Sequence, residues 1–173
     1  MLAEPAWILG LNTLQAALLV VTCWTDLSRR IIPNSVCIGV MLVGIAVRLA
    51  AGPVALLEST GVAAAVFALL LVLHARGGMG GGDVKLITAL VLGRSLPGTI
   101  QLLSVMALVG GVLALLQLAL RAMPCPVAVP VDASTLRRAY AAERRRSQER
   151  ASLPYGVAIA CGGLWTILLS TGG

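Results

Sequence analysis

Two of the seven acidic residues stand apart from the rest. Glu4 and Glu58 lie near the ends of apolar runs, and Asp132, Glu143 and Glu149 lie in an arginine-rich stretch, so these five read as interfacial or solvated charges. Asp26 sits in Trp24-Thr25-Asp26-Leu27-Ser28-Arg29-Arg30, and Asp83 closes Gly77-Gly78-Met79-Gly80-Gly81-Gly82-Asp83. Each borders a long apolar run. Ionised side chains are expensive next to lipid and concentrate at functional sites. Two carboxylates sharing one site cannot both ionise easily, so one keeps its proton while the other is charged. That state suits peptide hydrolysis. The charged member takes a proton from water, and the neutral member hydrogen-bonds to the scissile carbonyl. The titration belongs to the pair, so neither aspartate is assigned as base or acid.

The glycines before Asp83 fit the same chemistry. A peptide must be extended to expose its amide, and Gly80, Gly81 and Gly82 lack the Cβ atoms that would keep its backbone away. The alternative is a flexible loop whose aspartate caps the next helix. Phosphate-binding readings fail: Lys85 follows Asp83-Val84 instead of a final loop glycine, and no third glycine completes a dinucleotide fingerprint. Four cysteines without a C-x-x-C pair, and a single histidine, give no metal site and no disulfide framework. No cofactor is expected. Two other functions remain open: a small transporter or channel using Asp26 and Asp83 as a proton or cation site, and a scaffold for secretion proteins.

The elements that position the aspartates follow from composition. The chain has 173 residues, 58% of them hydrophobic and 12% charged, with a mean hydropathy of +0.95. Soluble domains hold less apolar surface than this. The expected fold is all-α, a single polytopic membrane domain over 1–173 with about six transmembrane helices. The predicted spans are Pro5–Trp24, Asn34–Ala51, Val54–His74, Val84–Leu96, Thr99–Arg121 and Leu153–Ser170, the fourth being weak. Eleven of the thirteen basic residues then fall in three loops on one side, leaving Arg48 and Arg94 on the other, where Arg94 is expected to snorkel outward. The basic side is expected to be cytoplasmic, with both termini outside and both aspartates at the cytoplasmic face.

Between the last two spans lies a basic cytoplasmic loop at about 122–152. It holds a proline-punctuated stretch, Met123–Val131, then a predicted arginine-rich helix, Ser134–Ala151. The 134–150 segment reads either as a helix on anionic headgroups or a docking site for pilus assembly or secretion proteins, or as a solvated topology signal. Nucleic acid is not an expected partner, because only Tyr140 could stack on a base there.

These motifs resemble a known family. Gly80-Gly81-Gly82-Asp83 is similar to the G-x-G-D signature of intramembrane aspartic peptidases. Asp26 followed by Ile32-Pro33-Asn34 resembles the first-aspartate motif of type IV prepilin peptidases, and Gly82-Asp83-Val84-Lys85-Leu86 resembles their second. Leu153-Pro154-Tyr155-Gly156-Val157-Ala158 is similar to their C-terminal Pro-Tyr-Gly-x-Ala segment. The resemblance implies an aspartic endopeptidase of the bacterial inner membrane. Its substrate would be a prepilin, whose leader is cut at the cytoplasmic face. Asp26 and Asp83 would be catalytic, with Gly80, Gly81, Gly82, Lys85, Pro33, Asn34, Pro154, Tyr155 and Gly156 shaping the site or touching substrate. Only about four residues precede the first span, whereas bifunctional members carry an N-terminal domain with paired C-x-x-C motifs. The chain therefore resembles the short, peptidase-only form found with Flp and tight-adherence pili, and the sequence leaves N-methylation of the cleaved pilin open. Pro33 is expected to start the second span with Asn34 capping it. Asn12 and Gln15 are expected to face other helices.

Overall fold

The computed structural model describes residues 6–122 and 155–171. Within them are six helices and no strand: α1 (Ala6–Arg29), α2 (Asn34–Ala50), α3 (Pro53–Ala75), α4 (Gly81–Leu92), α5 (Leu96–Ala122) and α6 (Tyr155–Thr171). The proline-rich stretch, the predicted helix over Ser134–Ala151, and Pro154 lie outside the described residues. One compact unit comprises residues 1–109 and 154–173, and a second comprises 110–153. Of the second unit, the described part is the continuation of α5 from Gly110 to Ala122.

The helices stop where sequence chemistry stops them. α1 runs past the expected Trp24 to Arg29, because no breaker intervenes before Pro33. Its end is closed by Arg30 in the left-handed region (φ 56°), whose N–H donates to the Asp26 carbonyl at 3.0 Å. α2 gives way to Gly52 at φ 112°, and Pro53 opens α3, where its missing N–H is harmless. Gly77 (φ 75°) ends α3, with the Gly78 N–H reaching back to the Leu73 carbonyl at 3.0 Å. Ser95 opens α5, its Oγ accepting from the Gly98 N–H at 3.4 Å.

α1, α3 and α5 are long and apolar enough to cross a membrane; α2 and α6 are shorter apolar helices. Large apolar side chains face outward along them, among them Trp24, Val54, Leu57 and Leu69. In a water-soluble fold such a surface would be a liability; against lipid it is solvated. α4 differs. With 12 residues it is ~18 Å long, short of the ~30 Å hydrocarbon core. It is wrapped by α2, α3 and α6, with Val84, Leu86, Ile87, Ala89, Leu90 and Val91 all buried. The weak fourth segment is thus the core helix of the unit, apolar over most of its surface because protein surrounds it, with Lys85 at its start exposed.

Small residues let the helices close on it. Gly44 of α2 and Gly93 at the end of α4 meet backbone to backbone, and a Cβ added at Gly44 would lie 2.9 Å from the Gly93 Cα. On α6, a Cβ at Gly163 would lie 2.7 Å from Leu19 of α1. Such small-residue contacts are how helices approach closely where lipid supplies no hydrophobic drive.

Candidate active site

One face of α1 carries Asn12, Gln15, Leu19, Thr22 and Asp26, all buried. The alternating three- and four-residue spacing keeps them on one line along the helix. Four of the five are polar, so α1 presents a polar stripe to the interior that ends on Asp26. Thr22 satisfies its hydroxyl on the Leu18 carbonyl at 3.0 Å, and Asn12 and Gln15 face inward as expected.

Asp26 is 6% exposed. The N-terminus of α6 sits on it: the backbone N–H groups of Gly156 and Val157 donate to its carboxylate. A helix start is suited to this, because its first N–H groups have no partner within the helix. The approach is close enough to require glycine, since a Cβ at Gly156 would fall 2.8 Å from the Asp26 Cγ. The carboxylate retains a buried oxygen, Oδ2, with no hydrogen-bond partner among the described residues. Arg30 is near enough for its charge to act on Asp26.

Asp83 lies in the first turn of α4 and is half-buried. Gly80 occupies the N-cap, and its N–H donates to the Asp83 carboxylate. That is one arm of a capping box, in which a side chain three residues into the helix reaches back to the N-cap N–H. The capping alternative is therefore realised in part. Asp83 is also within electrostatic reach of Asp26. The end of α1 and the start of α4 thus bring together two carboxylates that are distant in the chain, each carrying backbone N–H donors.

The glycine run is packed differently from the expectation of open space. A Cβ at Gly80 would lie 2.9 Å from the Asp83 Oδ2, one at Gly81 would meet the His74 ring at 3.4 Å, and one at Gly82 would meet Ile32 at 3.3 Å. The chain's own side chains fill the room that the glycines leave. Positive φ is used at Gly77 and not within Gly80–Gly82. His74 helps hold the turn, its Nδ1 donating to the Met79 carbonyl at 2.8 Å.

The remaining candidate residues divide. Lys85 Nζ donates to Asn34 Oδ1 at 3.1 Å, tying the start of α4 to the start of α2. Asn34 therefore does not cap α2; Pro33 occupies the N-cap position with extended backbone (φ −64°, ψ 137°) and no side-chain cap bond. Lys85, Asn34 and Cys37 line an apolar groove of about 380 Å³ between α2, α3 and α4 that continues to Phe67 and Leu92. Tyr155 opens α6, partly buried against the core. Arg94 departs from expectation. It is buried and turns inward to Gln15, Nη2 to Oε1 at 3.2 Å, in place of snorkelling outward. The polar spacing of α1 carried the signal for a buried partner at Gln15, but nothing local to Arg94 did.

A comparison with protein families matches residues 13–115 to the type IV leader peptidase family. The matched stretch contains Asp26, the glycine run and Asp83. No curated protein and no solved structure gives a significant match.

Proposed function

Because the chain belongs to the type IV leader peptidase family, a family of peptidases, we propose that it is an intramembrane aspartic endopeptidase that removes the leader of a prepilin. Asp26 and Asp83 are the working pair in this reading. The observation that supports it is that these two carboxylates lie within electrostatic reach of each other, on α1 and α4, both of which pack against α6. One member of the pair is ionised and accepts a proton from a water molecule as its oxygen attacks the scissile carbonyl carbon. The other is protonated and hydrogen-bonds to the carbonyl oxygen, passing its proton on as the tetrahedral intermediate forms. Collapse breaks the C–N bond, and the leaving amine takes a proton from the pair. The backbone N–H donors of Gly156, Val157 and Gly80 hold the two carboxyl groups in orientation, so little reorganisation is needed at each transfer.

Cleavage at the cytoplasmic face of the bacterial inner membrane belongs to the same reading. Its support is the concentration of arginine and lysine in the loops at the aspartate end. The groove that runs from Lys85 and Asn34 to Phe67 is where an apolar segment of the substrate would lie beside the pair. The test is co-expression with a prepilin. Asp26→Asn and Asp83→Asn should each lower processing by about 10²-fold or more while the protein still inserts. Normal processing by either variant, in cells without another prepilin peptidase, would reject the reading.

A further inference from the structure

A second polar cavity, of about 470 Å³, opens at the far end of the same unit. It lies between the start of α1, the ends of α2 and α6, and the α4–α5 corner. Ile8 on its wall is ~27 Å from Asp26 along α1 at 1.5 Å per residue, so it is separate from the carboxylate pair.

Two arginines line it. Arg94 is 8% exposed, and its Nε has no hydrogen-bond partner among the described residues. Arg48 bonds the Ala55 carbonyl at 3.0 Å and faces Glu58 at 3.5 Å, and its Nε likewise has no partner among the described residues. Beside them, Gln15 Nε2 is buried without an acceptor among the described residues. Among the described residues, Glu58 is the one carboxylate within ion-pair distance of either guanidinium, and it serves Arg48. Among the described residues Arg94 is a buried cation without a counter-charge. Burying an unpaired charge is strongly unfavourable, and the surplus here is of donors as well as of positive charge. The start of α5 favours an anion and the ends of α2 and α6 oppose one, so the guanidiniums decide the sign.

We propose that this cavity binds a phosphate group, carried by a phospholipid headgroup or free in solution. A guanidinium presents a planar fork of N–H donors that matches phosphate oxygens, and two arginines with unused Nε–H groups can grip one from two sides. Basic pockets between membrane helices are suited to headgroups. The cavity is larger than a phosphate, which leaves space for the glycerol part of a lipid.

The test uses the full-length protein, purified in detergent and depleted of lipid. Its thermal unfolding is followed with phosphatidylglycerol, with a diacylglycerol of the same chains, and with inorganic phosphate. Phosphatidylglycerol should raise the midpoint by about 2 °C or more near saturation, and diacylglycerol should not. A rise with inorganic phosphate as well assigns recognition to the phosphate alone; a rise confined to the phospholipid assigns the headgroup of a lipid. R94Q should abolish the rise and R48Q should reduce it, while D26N should keep it. R94K, which keeps the charge and loses the fork, serves if R94Q does not fold, and should show a smaller rise. An equal rise with diacylglycerol, no rise with either phosphate compound, or an undiminished rise in R94Q or R94K would overturn the proposal.

Discussion

Gly156 governs how Asp26 is held, because its backbone lies where any side chain would collide with the carboxylate. A Cβ there would fall 2.8 Å from Asp26 Cγ and 2.9 Å from its Cβ, inside a packed joint of two helices. Gly156→Ala should therefore displace the start of α6, lose the N–H donors to Asp26, and lower processing by at least about tenfold, with a stability loss of about 1–3 kcal/mol. Gly10→Ala, on the same helix as Asp26 but with nothing within 4 Å, should leave both unchanged. Processing assays and denaturant titration of the two variants check this. The aspartates themselves were legible in the sequence, since charge beside lipid needs a reason. The contact of Gly156 with Asp26 was not: its motif marked the segment, but which atom it touches depends on how α6 docks.

At the scale of elements, the arrangement depends on α4 being short and enclosed. Gly44 and Gly93 set its distance from α2, and their backbones leave no room for a methyl group. Gly44→Ala should push α2 away from α4, cost about 1–3 kcal/mol in unfolding experiments, and lower processing by loosening the Lys85–Asn34 tie at the other end of the pair. Gly61→Ala, whose added methyl meets open space, should be silent in both measurements. The six helices of the described residues were readable from apolar runs. Two features were not readable. α1 outran its apolar run by a turn because nothing broke it, which put Asp26 inside the helix. Arg94 turned to Gln15 because a partner from another helix was within reach, and no local pattern encodes that.

For the whole molecule, the aspartate joint and the arginine cavity lie at opposite ends of one unit, and the reading sets the first towards the cytoplasm. In a variant with the native cysteines replaced, a single cysteine at Ala51, at the arginine end, should react with an impermeant thiol reagent added to intact spheroplasts. One at Gly78, in the exposed turn before the glycine run, should react only after permeabilisation. The reverse pattern would place the aspartates outside. The residues of the joint all belong to the unit formed by 1–109 and 154–173. Deleting Ser134–Arg150 should therefore leave prepilin cleavage within about threefold of wild type, whatever it does to pilus assembly. The claim on which all of this rests is that Asp26 and Asp83 together hydrolyse a peptide bond. Mass spectrometry of a co-expressed prepilin tests it most directly, because it reads the cleavage position and any N-methylation from one sample. The account predicts a mature pilin cut at the leader boundary from wild type, and intact prepilin from D26N and from D83N. Mature pilin from either variant would contradict it.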